Sequence, residues 1–239
     1  MSVQNVYIVG GKGCGNYGGY ETFLDKLTEY HQNNSGIKYH IAWKGKEPKE
    51  FDYHNAHSFQ IRVPDIGPAQ AIYYDVAALN YCVKHIKTNH IENPIIYILA
   101  CRIGPFAAHF QKVIHKLGGR LYVNPDGHEW LRAKWPLPVR KYWKFSERLM
   151  VKHADLLICD SKNIESYIHT AHKRYNPKTT YIAYGADLTP STLADDDQKL
   201  TDWYAEKGLK KNGYYLAVGR FVPENSFETM IREFMASDS

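Results

Sequence analysis

Cysteine is scarce: Cys14, Cys82, Cys101 and Cys159 are scattered through 239 residues with no C-x-x-C and no paired Cys/His spacing. That argues against a disulfide framework and against a structural zinc site, and leaves the four as small buried apolar residues. Long apolar runs are missing too. No stretch approaches the roughly 18 to 20 uncharged residues that a bilayer span needs. The start MSVQNVYIVGGKG reaches glycine too early for a secretory signal, so the expected location is the cytoplasm. What is present, 44% hydrophobic and 23% charged residues, suits a folded chain of one large domain, or one domain plus a piece, rather than a disordered tail.

The net charge of +5 is concentrated in one place. Between His128 and Lys152 stand Arg132, Lys134, Arg140, Lys141, Lys144, Arg148 and Lys152 against only Glu129 and Glu147, and this excess accounts for the whole surplus. Trp130, Trp135, Tyr142, Trp143 and Phe145 are interleaved with these cations. Such a mixture suits the head-group zone of an anionic membrane, with Arg132, Lys134, Trp135, Arg140, Lys141, Trp143 and Lys144 as the contact residues. An amphipathic helix with a solvated basic face explains the same pattern. Nucleic acid is the least favoured partner.

Short β-branched and aromatic runs recur along the chain, at 6–10, 39–43, 59–63, 94–100, 120–124, 155–160 and 179–184. Helical stripes lie between them, the clearest being Ile72, Val76, Leu79, Val83 and Ile86, and Phe106, Phe110, Val113, Ile114 and Leu117. The alternation predicts an α/β fold, a Rossmann-like parallel sheet with helices on both faces, whose ligands bind beyond the carboxyl ends of the strands. Composition breaks after Asp187, in a proline-marked, acidic stretch with a short helix predicted over 196–207. A further strand is predicted at 214–220, then a helix capped by Ser226. The expected organisation is a first domain over 1–190, a linker over 191–212 and the start of a second domain over 213–239, too small to bury a core of its own.

The first strand runs into GGKGCGNYGGYE, in which Gly13, Gly15 and Gly18 satisfy G-x-G-x-x-G. A dinucleotide fold would also place an acid about 20 positions on, at the end of the second strand, to hold a ribose. Here that strand ends Ala42, Trp43, Lys44, which argues against a nicotinamide-dependent enzyme. Lys12 is followed by Gly13 rather than Ser or Thr, so the loop is not a Walker P-loop. What remains is a glycine loop that can present backbone N–H groups to an anion such as a diphosphate, or simply a tight turn.

Three separated runs, GKGCGNYGGYETFLDKL, VNPDGHEWLRAKW and VGRFVPENSFETMIREFM, together resemble the rhamnosyltransferases of glycosyltransferase family 4 that build bacterial capsule or cell-wall polysaccharide. The likeness runs over nearly the whole chain. It implies the GT-B fold, of which this chain would be the N-terminal, acceptor-holding half followed by the beginning of the nucleotide-sugar half. It implies transfer of L-rhamnose from dTDP-L-rhamnose, or of another sugar from its nucleotide, to a sugar carried on undecaprenyl diphosphate. No metal and no cofactor beyond that substrate is implied, and the enzyme would work peripherally at the inner face of the plasma membrane.

By the same resemblance, Gly11, Gly13, Gly15, Gly18 and Gly19 lie near the donor phosphates, and Tyr17, Tyr20 and Glu21 face the acceptor. Asp126 falls next to the reacting sugar carbon, with His128 and Glu129 as further catalytic candidates. Pro125, Asp126 and Gly127 would also make a good turn on any fold. Ser161 in CDSKNIESY is explained as well by helix capping as by substrate contact. In the second domain Arg220 matches the family's diphosphate-binding Arg. The family's pair of glutamates eight positions apart has no counterpart after it, so the donor site is expected to be incomplete in this chain. The alternative is a non-catalytic acceptor- or membrane-binding fragment. Docking on the first domain, mobility or packing into a homo-oligomer would each account for the apolar residues near the C-terminus.

Overall fold

The computed structural model describes residues 3–186 and 188–237; Asp187, where composition breaks, lies outside them. The chain divides into two units, Met1–Tyr184 and Gly185–Ser239.

The first unit is built on one eight-stranded sheet. Its strands are β1 (Gln4–Val9), β2 (Ile37–Gly45), β3 (Lys49–Tyr53), β4 (Ala56–Arg62), β5 (Ile95–Leu99), β6 (Arg120–Asn124), β7 (Leu156–Cys159) and β8 (Thr179–Tyr181). They lie in the order β3-β4-β2-β1-β5-β6-β7-β8. Every pairing is parallel except β3 with β4. Each run of β-branched residues in the first domain thus becomes a strand, and buried central strands such as IIYIL are apolar on both faces because helices cover both.

β3 is the element that periodicity does not reveal. Its sequence KEFDY is charged, and it turns back onto β4 through His54 and Asn55, both with φ near +50 to +60°. Two successive left-handed residues give the tight hairpin turn usually written Asn-Gly; here His-Asn takes its place.

The helices are α1 (Gly19–His31), α2 (Gln70–Thr88), α3 (Gly104–Lys116), α4 (Leu137–His153) and α5 (Lys162–Ala171). α2 through α5 bury Leu79, Phe110, Met150 and Ile168 in one large core with Val9, Ile98 and Val123. On the other face α1 buries Leu24 in a smaller core with Ile8, Ile41 and Leu99. Ser161 accepts from the Ile164 N–H at 3.1 Å and so caps α5, satisfying an otherwise orphaned donor. Among the described residues no helix is long and apolar enough to cross a membrane.

The strand order reverses between β1 and β5. Crossovers leave β1 towards β2 on one side and β5 towards β6 on the other, which opens a crevice at the carboxyl ends of that pair.

The second unit contains α6 (Gln198–Lys207), capped by Asp197 and closed by Gly208 in the left-handed region, and α7 (Phe227–Ala236). The strand expected at 214–220 does not form. A strand needs a partner edge for its N–H and C=O groups, and no other strand exists among the described residues of this unit. Ser226 does precede α7, but with φ +51° and no capping hydrogen bond from its side chain.

Candidate functional site

The crossover after β1 is tightly packed in its first half. At Gly10 (φ +116°) a Cβ would lie 2.4 Å from the Leu99 carbonyl oxygen, and at Gly13 (φ +113°) one would lie 2.2 Å from the Trp43 ring. Neither position admits a side chain, so these glycines serve close packing of strand end against β5 and of loop against β2. Gly11 is buried against Leu24, while Gly15 and Gly19 are exposed and Gly18 half-buried. Of the five glycines expected at donor phosphates, the open backbone therefore lies at Gly15 to Gly19.

Glu21 is 5% exposed, and its Oε1 accepts from the Lys12 N–H at 2.8 Å. The loop amide thus already holds an anion, one supplied by the first turn of α1. That contact turns Glu21 away from a direct acceptor role and makes it the brace of the loop. Tyr17, in contrast, is 85% exposed at the loop tip.

Tyr20 points into the crevice. Its hydroxyl is buried and has no hydrogen-bond partner among the described residues. Burial raises its pKa well above the usual phenol range, and the charges of Asp126 and Tyr184 add to the effect while Arg102 opposes it. Leaving such a group unpaired costs about 1 to 3 kcal/mol, so the fold keeps it there against its own stability.

Arg102 follows β5 at the reversal point. Its guanidinium donates to the Gly10 carbonyl at 3.0 Å and to both Asp75 oxygens at 3.3 Å. Asp75 is fully buried. Burial pushes its carboxyl up to about 6, against the pull of Arg102. Next to it, Tyr74 donates to the Gly11 carbonyl at 2.7 Å, so α2 and β5 together clamp the start of the glycine loop. Tyr74, Asp75 and Arg102 escape a search for motifs because each is a single residue. The one sequence signal is Arg102's place just after a strand.

Asp126 takes φ +57° in the Pro-Asp-Gly bend after β6, and its N–H donates to Asn124 Oδ1 at 2.7 Å. Asn124 is 2% exposed and donates to the Tyr184 hydroxyl at 3.1 Å. The Asp126 carboxylate acts electrostatically on Tyr20, Arg102, Tyr184 and Asp160. The Asp160 carboxyl is raised by burial first and by Asp126 second. Tyr20, Arg102, Asp126, Asp160 and Tyr184 thus lie close enough together after the strand ends for the Asp126 charge to act on the other four.

The residues just beyond have other duties. The His128 ring packs on Tyr167 with centroids 4.2 Å apart. Tyr167 donates to the buried Glu147, which also contacts His172 at 2.9 Å. Glu129 accepts from the Trp135 indole at 2.7 Å and pairs with Arg132 at 2.8 Å and Lys134 at 3.2 Å. Its charge is spent on tying residues 129–135 together.

The basic segment corrects the expectation at one position. Trp143 is only 5% exposed, packed against Trp135 and Tyr142, and presents no surface to a membrane. It lies on the inner stripe of α4 with Met150 and Val151. Arg140 donates to the Trp130 carbonyl at 2.8 Å, and Lys144 lies over the Trp130 ring at 4.3 Å. Leu137, Lys141, Lys144, Phe145, Arg148 and Lys152 share the exposed stripe of the same helix, at the 3- and 4-residue spacing of a single face. Arg220 belongs to the second unit, exposed, with its carbonyl accepting from Asn225 at 2.8 Å.

The protein-family profile described as Domain of unknown function (DUF1972) matches residues 3–187. No curated protein sequence matches the chain. Among solved structures, an α,α-trehalose-phosphate synthase (UDP-forming) from Burkholderia vietnamiensis is similar at 9% identity and TM-score 0.54, over 87% of this chain and 55% of that one. A trehalose-6-phosphate synthase, OtsA, is similar at 12% identity and TM-score 0.52, over 85% of this chain and 55% of its own length. The likeness is one of fold alone, a mostly parallel α/β sheet covered by helices, and the chain spans little more than half the length of these structures.

Proposed function

We propose that this chain, which belongs to the DUF1972 family, is the acceptor-holding half of a glycosyltransferase that moves L-rhamnose from dTDP-L-rhamnose to a sugar on undecaprenyl diphosphate, for capsule or cell-wall polysaccharide. The observation that carries the reading is the group Tyr20, Arg102 and Asp126 at the point where the strand order reverses, with a buried phenol that has no hydrogen-bond partner among the described residues. A sugar hydroxyl or phosphate oxygen is the partner it fits. The choice of rhamnose and of a lipid-linked acceptor rests on the three sequence runs that resemble the rhamnosyltransferases.

In this reading the bond between the sugar's anomeric carbon and the diphosphate oxygen breaks, and a bond from the acceptor hydroxyl oxygen to that carbon forms. The hydroxyl proton passes to the Asp126 carboxylate, and the leaving diphosphate takes the electron pair of the broken bond. Arg102 supplies positive charge at the crevice and Tyr20 a hydrogen bond, placed before reaction begins. Gly15 to Gly19 would lie nearest the donor diphosphate and Tyr17 nearest the acceptor.

The test is product analysis with the natural gene product that carries this sequence, given dTDP-L-rhamnose and a short-chain lipid diphosphate sugar. A product heavier by one rhamnose is expected. Transfer of a different sugar would remove rhamnose and keep the class, whereas no transfer from any nucleotide sugar would overturn the reading.

A second reading, an acceptor- or membrane-binding module without turnover, draws on the outer stripe of α4. There Leu137 (68% exposed) and Phe145 stand out among Lys141, Lys144 and Arg148. Apolar and basic groups on one exposed helix face suit an anionic lipid surface. The two readings differ in whether a glycosylated product appears, and both place the protein at the membrane's inner face.

A further inference from the structure

Strand register assembles a second cluster on the sheet face that α2 covers. Pairing of β1 with β2 sets Tyr7 beside His40, and pairing of β2 with β4 sets His40 beside His57. His85, near the end of α2, comes down on this row, with its ring 4.9 Å from that of His57 and 5.0 Å from that of His40. His40 is buried and the other two are half-buried. One ring nitrogen from each lies within 4.8 Å of the other two. Along α2 the cluster is about 16 Å from Tyr74 and the glycine loop, at 1.5 Å of rise per residue.

Hydrogen bonds on the outer side define the tautomers. Asn5 Nδ2 donates to the Val3 carbonyl at 3.2 Å, so its Oδ1 is the atom that accepts from His40 Nε2 at 2.9 Å. Glu50 accepts from His57 Nε2 at 3.3 Å, and its other oxygen accepts from the Tyr81 hydroxyl at 2.5 Å. A neutral imidazole has a single N–H. With both protons on Nε2, the Nδ1 atoms of His40 and His57 face one another at 3.0 Å as bare lone pairs. Two lone pairs at that distance repel, and a shared cation removes the repulsion. The Tyr7 hydroxyl, 2.8 Å from His85 Nδ1, holds the third ring in place.

We propose that His40, His57 and His85 form a binding site for one divalent transition-metal ion of the zinc type, oriented from behind by Asn5, Glu50 and Tyr7. Three imidazoles with a solvent molecule as fourth ligand is a common donor set for Zn²⁺. Tetrahedral coordination at about 2.0–2.1 Å would place the nitrogens roughly 3.3 Å apart, near the 3.0 Å already present between two of them. Carboxylate and amide acceptors behind the rings are the usual supports of such ligands. The ion would pin β1, β2, β4 and α2 together. No Cys/His spacing motif announces it, because the ligands come from three elements, 17 and 28 residues apart.

The experiment uses the untagged 239-residue chain, stripped with a chelator and titrated with Zn²⁺ against a chromophoric competitor, with Co²⁺ as a spectroscopic substitute. One equivalent of Zn²⁺ bound, a tetrahedral Co²⁺ spectrum and a raised unfolding midpoint with Zn²⁺ are expected. His57→Gln and His85→Gln should each weaken binding at least 100-fold, and Glu50→Gln, which leaves all three rings intact, about 10- to 100-fold. His109→Gln, on an exposed helix face, should change nothing. Absence of Zn²⁺ binding by the native chain would overturn the proposal and leave a proton shared by His40 and His57. Binding that survives both His57→Gln and His85→Gln would overturn it equally.

Discussion

Asp126 and Glu129 stand three residues apart after the same strand, yet their carboxylates meet opposite surroundings. Glu129 is surrounded by donors from its own segment, an indole N–H and two cations. Asp126 is carried by a left-handed bend to a crevice where it faces an unpaired phenol and a second carboxyl. The difference separates two uses of an acidic side chain. One that its own chain has satisfied works as scaffold, and one aimed at an unmet need is free to meet a ligand.

The largest effect that would break this comparison concerns turnover. In the natural gene product, Asp126→Asn should lower kcat about 100- to 1,000-fold, as loss of one preorganised polar group does, with the unfolding midpoint little changed. Glu129→Gln should do the reverse, costing about 1 to 3 kcal/mol of stability with turnover nearly intact. Equal loss of kcat in the two variants, at unchanged stability, would erase the distinction.

Next comes the pH response of Asp75, the buried acid behind the crevice. Its folded-state value near 6 lies above the unfolded value of 3.8. Folding therefore favours its protonated form, and its contribution is greatest below pH 4 and falls as pH rises through 6. Measured against Asp75→Asn, wild-type stability should drop by up to about 3 kcal/mol between pH 4 and pH 7. A difference that is flat with pH would show that the Arg102 pair, not burial, governs the site.

Smaller still is Tyr20→Phe. Removing a hydroxyl that has no partner should leave stability unchanged or raise it by up to about 1 kcal/mol, while substrate affinity falls. A loss of stability would mean that the phenol is paired in solution and the crevice less available than Asp126 requires. At the surface, Lys141→Glu with Lys144→Glu should weaken binding to anionic vesicles, most at low salt, and leave the unfolding midpoint where it was. Equal vesicle binding would return this helix face to a solvated role.

Much of this architecture is written in the order of residues. Runs such as PIIYILA and RLYVN could be little else than buried strands, and Pro125, Asp126 and Gly127 announce the bend that follows β6. β3 escaped because KEFDY owes its place to the hairpin with β4 rather than to apolar periodicity. The expected strand at 214–220 failed for the converse reason: YYLAV has the composition, but its unit holds no other strand among the described residues. Trp143 shows the limit of reading a segment by its makeup, since composition counts an indole but not which way the helix turns it. Arg102, Tyr184 and the histidine row are joined only by crossovers and register, relations among distant positions that no local window contains.

The hairpin strand β3 also decides how the sheet ends. It is the outermost strand on its side, and Lys49 and Asp52 on it are exposed. A row of unpaired amides is a template for a stranger's backbone, and charged side chains along it make such docking costly. A neutral, β-branched version of KEFDY would remove that guard, and self-association through stacked borders would be its first symptom.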